Sequence, residues 1–156
     1  MELRELDQAD RVAVRSLIHR TIDTCYPAAY PPRAVAFFKT FHSAEAIQER
    51  ATAGHVVVVA EDDHIVATGA AVDGEITGVF VVPERQGEGL GSLVMDELEA
   101  TSFLAGHRAV RLSVSLPSRG FYEGRGYHII EDCSIDVGEG QLLEYWEAEK
   151  PLAGES

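Results

Sequence analysis

The residues in this sequence that are best suited to bind a ligand are the glycines that follow an apolar run ending at Pro83. Gly87, Gly89 and Gly91 lie in this loop, and a helical pattern begins at once after it. This order places backbone N–H groups at a helix N-terminus, where unpaired donors and the positive end of the helix dipole bind anions. Glycine also tolerates positive φ and lets a ligand approach the backbone closely. The segment therefore predicts a site for a pyrophosphate group.

Three phosphate-binding patterns compete to explain this loop. A Walker A loop needs a lysine after its second glycine, and this loop has none. A dinucleotide fingerprint needs Gly-x-Gly-x-x-Gly and an acidic residue at the end of the next strand, but here that strand ends in Ser115-Leu-Pro117. The third pattern, Gln/Arg-x-x-Gly-x-Gly/Ala, is matched in full by Gln86, Gly89 and Gly91.

Together with the preceding apolar strand, this third pattern resembles the GNAT superfamily of N-acetyltransferases. A second segment, Phe121-Tyr-Glu-Gly-Arg-Gly-Tyr127, is similar to the family's tyrosine segment at the expected distance. The resemblance extends over nearly the whole chain and implies that acetyl-CoA is the co-substrate. It implies that the main chain of Val79, Phe80 and Val81 binds the pantetheine arm and the thioester carbonyl. It also implies that the pyrophosphate is wrapped by the loop residues Gln86, Gly87, Glu88, Gly89, Leu90, Gly91 and Ser92.

The resemblance also assigns a general acid. Tyr122 matches the family tyrosine that protonates the thiolate left when the acetyl group departs. The alternative is a tyrosine that only packs in the core. Family members often carry an asparagine seven residues earlier, and Ser115 stands there instead. The cofactor contacts from that side therefore differ from the family pattern.

A base must remove a proton from the attacking amine, and Glu75 is the first candidate. It lies eleven residues before Gln86, the offset at which some family members carry their catalytic glutamate. Burial there would make it a stronger base at neutral pH. The alternative is a solvated turn carboxylate beside Asp73-Gly74. Three further candidates are His64, His42 and Glu123.

The resemblance implies that the acceptor pocket lies in the first helices and the loop between them. Tyr26, Tyr30 and Phe38 either wall such a pocket or pack on the core. The net charge is −13, with 26 acidic and 13 basic residues, which argues against a nucleic-acid partner. An acidic surface suits a cationic acceptor, although it can equally serve solubility alone.

The positioning elements alternate between the helical and the strand period. The chain is expected to form one α+β domain over residues 1–156, with a single mixed, mostly antiparallel sheet of about six to seven strands flanked by helices. Asp7 and Ser43 are expected to cap helices, and Asp73-Gly74 to form a hairpin turn. The expected strands and helices are Glu2–Leu6, a helix after Asp7, a helical region from Arg33 to Ala53 broken near Ser43, strands over 55–60, 65–72 and 75–82, a helix from Leu90, a strand over 110–115, a short helix over 121–127 and a hairpin over 129–149.

The sequence thus predicts an acetyl-CoA-dependent N-acetyltransferase that acts directly on a primary amine of a small molecule or peptide, without a metal. Cys25 and Cys133 form no metal-ligand pattern and read as free thiols. The first ten residues lack a signal-peptide core, so a cytoplasmic protein without a membrane partner is expected. Two alternatives stay open, a non-catalytic acyl-CoA-binding regulatory module and a nucleotide-binding domain. A homodimer through an exposed sheet edge or the terminal hairpin is also open.

Overall fold

The computed structural model describes residues 1–152, which fold around one seven-stranded sheet. The strands are β1 (Glu2–Glu5), β2 (His55–Glu61), β3 (His64–Val72), β4 (Glu75–Val81), β5 (Ala109–Ser115), β6 (His128–Gly138) and β7 (Gln141–Pro151). The helices are α1 (Arg11–Cys25), α2 (Pro32–Phe41), α3 (Ala44–Ala53), α4 (Leu90–Leu104) and α5 (Arg119–Gly124). No helix within this range combines the length and the apolar character that crossing a membrane requires.

The sheet has the strand order β1-β2-β3-β4-β5-β7-β6, and its neighbours are antiparallel except for β4 and β5. This parallel pair is bridged at a single position, Glu75 opposite Arg111. Beyond it the two strands diverge, whereas β5 and β7 stay paired from Ala109 to Ser115. The sheet is therefore open in its middle, at the C-terminal end of β4.

A small residue in the sheet and a capping box determine where two of the helices lie. Gly69 in β3 faces α4, because a Cβ atom there would lie 2.7 Å from Val94 and 2.9 Å from Leu98. Asp7 and Asp10 form a capping box around a 3-10 turn, and α1 begins only after it, at Arg11. These contacts place α4 on one side of the sheet and fix the start of α1.

The predicted architecture is confirmed, including the mixed, mostly antiparallel sheet. Ser43 caps α3, its Oγ accepting from the Ala46 N–H at 3.1 Å, and Asp73 and Gly74 both have positive φ in the predicted turn. The prediction of a short helix over 121–127 was wrong in its limits, because α5 begins at Arg119 and ends at Gly124. Two residues beyond, Gly126 has a φ of +94°, a conformation that glycine adopts without strain.

Candidate active site

A cavity of about 650 Å³ lies where β4 and β5 diverge. The described residues that line it come from five places along the chain. One wall is formed by α2 and α3, the floor by β4, and the opposite wall by β5, β7 and α5. The residues on which the following argument rests are Tyr26, Phe37, Phe38, Phe41, His42, Glu49, Arg50, Glu75, Gly78, Val79, Phe80, Ser115 and Tyr122.

The loop between β4 and α4 has the backbone geometry of an anion site. Gly87 and Gly89 have φ values of +83° and +87°, and a Cβ atom on either would meet nothing within 4 Å. Within the described chain, the N–H groups of residues 87–92 donate to no acceptor outside α4. Free donors, open space and the start of a fifteen-residue helix together suit a diphosphate.

Gly91, the third glycine of the loop, is required for a different reason. A Cβ atom on Gly91 would lie 3.1 Å from the ring of Phe121, which is the residue before Tyr122. Gly91 therefore lets α5 pack against the first turn of α4. Of the three loop glycines, Gly87 and Gly89 are the ones that leave room for a ligand.

Side chains around the loop fix its shape. Arg85 bonds Glu61 and Glu88, in the latter case with Nε donating to Oε1 at 2.8 Å. The Gln86 side chain turns back, and its Nε2 donates to the Val81 carbonyl at 3.1 Å. Gln86 thus holds the end of β4. The side chain of Leu90 is buried, so its backbone N–H is the group that the loop offers there.

Tyr122 reaches the cavity from α5. It is 8% exposed, its ring packs on Phe121 and Tyr127, and its hydroxyl has no hydrogen-bond partner among residues 1–152. Burial raises the pKa of this phenol well above its ordinary value of 10.0, and the nearby Tyr26 adds to the shift. The hydroxyl is therefore protonated at neutral pH and free to donate.

Tyr26 and Ser115 close the cavity near the end of β5. The Tyr26 hydroxyl donates to Ser115 Oγ at 3.2 Å, and Ser115 Oγ lies 2.7 Å from Ser118 Oγ. Ser115 occupies the position where the family often has asparagine. Its hydroxyl ties the end of α1 to β5 across the opening of the sheet.

The candidate bases are placed very differently. Glu75 lines the cavity but is exposed, so of the two environments considered for it the structure has the solvated one beside the turn, because β4 starts there. Among the described residues, His64 and Glu123 do not line the cavity. His64 is exposed in the β2–β3 hairpin, and Glu123 accepts from Arg119 Nε at 3.1 Å on the surface.

His42 is the candidate that the fold buries in the cavity wall. It is 6% exposed, and its Nδ1 is buried without a partner among the described residues. Burial lowers its pKa to about 3, with Arg50 and His19 adding to the shift, so the ring is neutral at physiological pH. Arg50 also lines the cavity. This was not predicted from the sequence, because an arginine on an amphipathic helix is usually a solvated surface residue.

The aromatic residues of the α1–α2 region divide between the two roles considered for them. Tyr26 and Phe38 line the cavity, together with Phe37 and Phe41 of α2. Tyr30 instead packs behind the cavity, donating to the Glu144 carbonyl at 2.7 Å and accepting from the Leu116 N–H at 2.9 Å. The helical spacing of the α2 phenylalanines is the signal that could have indicated this wall.

A comparison with known proteins gives one family. The family model for the acetyltransferase (GNAT) domain matches residues 26–138, which include the α2–α3 wall of the cavity, the glycine loop and Tyr122. A search of curated protein sequences gives no match.

Solved structures share the fold over almost their entire lengths. A GCN5-related N-acetyltransferase from Rhodopseudomonas palustris superposes with a TM-score of 0.85 at 17% identity, over 97% of this chain and 95% of that one. PaiA N-acetyltransferase from Thermoplasma acidophilum, in complex with coenzyme A, gives 0.76 at 14% identity over 96% and 98%. YncA from Salmonella typhimurium, with acetyl-CoA, gives 0.70 at 17% over 100% and 96%. At these identities the likeness is one of fold.

Proposed function

The chain belongs to the GNAT acetyltransferase family, and on that premise we propose that it transfers an acetyl group from acetyl-CoA directly to a primary amine of a small molecule or peptide. The observation that carries the proposal is the divergence of β4 from β5, which opens a cavity that Tyr122 and Glu75 both line. The glycine loop lies directly behind the end of β4. We propose further that residues 1–156 act as one catalytic domain.

The residues around the opening fit acetyl-CoA. The free N–H groups after Gly87 suit its diphosphate, and the edge of β4 that β5 leaves unpaired suits the amide-bearing pantetheine arm, as in strand addition. Val79, Phe80 and Val81 would hold that arm through their main chain. PaiA and YncA, described with coenzyme A and acetyl-CoA, support this assignment. Acetyl-CoA supplies the acetyl group as a thioester, which an amine can attack.

The protein's own groups then move protons. Glu75 takes the proton that the attacking amine loses, directly or through water, while the C–N bond forms and the C–S bond breaks. Tyr122 donates its proton to the departing sulfur and regains one from water. Its raised pKa keeps the phenol protonated until then. Both cysteines lie outside this geometry as free thiols, Cys25 near Gln86 and Cys133 in β6, so direct transfer is preferred over an acetyl-cysteine step.

Calorimetric titration with acetyl-CoA, CoA, ATP and NAD tests the cofactor assignment, and mass spectrometry of a screened set of amines tests the transfer. We expect acetyl-CoA to bind in the micromolar range and ATP and NAD not to compete. We also expect an amine product that is heavier by one acetyl group. Preference for ATP or NAD would favour a nucleotide-binding domain. Binding of acetyl-CoA with no acetylated product from any amine would favour the regulatory module.

A further inference from the structure

Arg50 is the positively charged side chain of the cavity wall. Its Nη2 donates to the Phe41 carbonyl at 3.2 Å, and its Cζ lies 5.6 Å from the centroid of the Phe41 ring. A Cβ atom on Gly78 would lie 2.9 Å from its Nη1. Gly78 has a φ of +65° at the irregular pairing of β3 and β4, so the guanidinium lies directly over the floor of the cavity.

The guanidinium of Arg50 forms no salt bridge with another described residue. No carboxylate of the described residues lies within 4.0 Å of its nitrogens, although the chain has 26 acidic and 13 basic residues. Burial lowers its pKa, and the adjacent Glu49 opposes that shift without contact. Among the described residues, one of its five N–H donors has an acceptor. A half-buried guanidinium with free donors is costly unless an anion completes its hydrogen bonds.

His42 supplies a second, independent observation at the same place. The residue is 6% exposed, its imidazole lines the cavity, and Nδ1 has no partner among residues 1–152. Nδ1 lies 3.9 Å from the Cβ position on Gly78, on which Arg50 Nη1 also converges. The phenylalanines of α2 line the wall beside these groups. The Arg50 guanidinium and His42 Nδ1 therefore converge on one point beside the phenylalanines of α2.

We infer that the acceptor is a short amino carboxylate, such as a free amino acid with an apolar side chain, whose carboxylate Arg50 and His42 bind above Gly78. The inference rests on the proposed function and names the acceptor class of the same site. Gly78 is three residues from Glu75 and adjacent to Val79, so a carboxylate there leaves an α-amino group close to the proposed acetyl position. The aromatic wall takes the apolar side chain. Above Gly78 the Arg50 guanidinium thus favours an anionic group, although Glu49 and Glu75 also line the cavity, whereas the net charge of the whole chain suggested a cation.

Matched acceptor pairs test the inference. The kcat/KM for CoA release is measured with L-phenylalanine, L-leucine and L-methionine and with the carboxamide of each. We expect the free acids to be preferred by about tenfold or more, because a charged hydrogen-bonded pair is lost in the amide. In Arg50→Gln that preference disappears through a higher acceptor KM, while the acetyl-CoA Kd stays unchanged. Arg50→Lys keeps the charge without the planar fork and restores part of the preference.

Arg15→Gln is the matched control, because Arg15 is exposed on α1, makes no ion pair among the described residues and does not line the cavity. It should keep the preference. If the amides react as well as the acids, or if Arg50→Gln leaves the preference intact, the inference is overturned while the proposed function stands. If the unmodified protein does not bind acetyl-CoA, the proposed function is overturned, and the inference with it.

A binding measurement decides the case in which neither acids nor amides are acetylated. N-acetyl-L-phenylalanine and N-acetyl-L-phenylalaninamide are titrated calorimetrically into the CoA-saturated protein, which needs no turnover. Binding of the acid about tenfold tighter than the amide, lost in Arg50→Gln but not in Arg15→Gln, would support the inference. Equal binding of the two compounds, or binding of neither, would overturn it.

Discussion

The two sides of the central opening differ in the groups that form them, which are backbone atoms on one side and side chains on the other. The proposed cofactor side is backbone, with glycines at positive φ, free N–H groups and a helix start within one short loop. The proposed acceptor side consists of side chains from α2, α3 and β4, among them Phe41, Arg50 and His42. A backbone site depends on local spacing, and a side-chain site depends on how distant elements pack. Change at the acceptor wall should therefore alter specificity while the cofactor loop is kept.

The acceptor wall depends on contacts far along the chain. The start of α2 is held to the terminal hairpin, because the Arg33 N–H donates to Gln141 Oε1 at 2.8 Å and Arg33 Nε to the Val137 carbonyl at 2.6 Å. By contrast, the salt bridge between Arg85 and Glu88 that shapes the loop joins residues three apart. The positive φ of Gly87 and Gly89 is a local property of the loop, although Arg85 also reaches Glu61, 24 residues away, whereas the wall depends on distant elements throughout. The two should therefore respond differently to substitution.

Gly89→Glu should have the largest effect, because it acts on the backbone site directly. A side chain at a φ of +87° strains the loop, and a carboxylate there repels the diphosphate. We expect kcat/KM for acetyl-CoA to fall about 1,000-fold, mainly through binding. Gly140→Glu is the control, because it imposes a similar strain at a φ of +74° with equally open space, but in the terminal hairpin. An equal loss of binding in both variants would show that strain, rather than the site, is responsible.

Tyr122→Phe should lower kcat by about 100-fold, the scale of a lost general acid, with the acetyl-CoA Kd within about twofold of its original value. Steady-state kinetics and calorimetry measure the two quantities. Tyr127→Phe is the control, because its hydroxyl donates to Glu99 at 2.7 Å and Tyr127 is absent from the described cavity lining. That variant should lose about 1 kcal/mol of stability and keep its kcat. An unchanged kcat in Tyr122→Phe would support a non-catalytic binding module.

The sequence was sufficient for the parts of the molecule that local rules determine. The α+β architecture, the cap at Ser43 and the turn at Asp73-Gly74 each follow from residues close together in the chain. The glycine loop belongs to the same class, since spacing alone places its N–H groups. Gly91 is the exception within it, because its reason is the ring of Phe121, thirty residues away.

The acceptor wall could not be predicted in the same way. Whether Tyr30 lines the cavity or packs behind it depends on the carbonyl of Glu144, which β7 brings to its hydroxyl. The exposure of Glu75 likewise depends on where β4 starts relative to the cavity. Arg50 carries no sequence signal, since only the positions of Phe41 and Gly78 make it a cavity residue. These are consequences of packing between elements, which periodicity does not encode.

Glu75→Gln sharpens the comparison from the acceptor side. An exposed carboxylate can be replaced by water as the proton acceptor, so we expect kcat to fall only about tenfold, with acetyl-CoA binding unchanged. Glu123→Gln, which removes a surface partner of Arg119, is the matched control and should leave kcat unchanged. If Glu75→Gln is as active as the unmodified protein, the base is water alone or another group of the wall, and His42→Gln becomes the next variant to measure.

The smallest expected effect concerns how the acceptor wall responds to pH. Burial lowers the folded-state pKa of His42 to about 3 from an ordinary value of 6.5, and Arg50 and His19 lie near enough to add to the shift. The unfolded chain therefore binds a proton below pH 6.5 that the folded chain does not. As the pH is lowered below 6.5, the free energy of unfolding decreases, and above pH 6.5 this contribution is fully retained. In His42→Leu this contribution is absent. Urea unfolding should show the unmodified protein losing about 1 kcal/mol more than the variant between pH 6.5 and 5.5. Equal losses would mean that the ring accepts a proton in the folded state, and hence that the wall opens to water where the structure packs it closed.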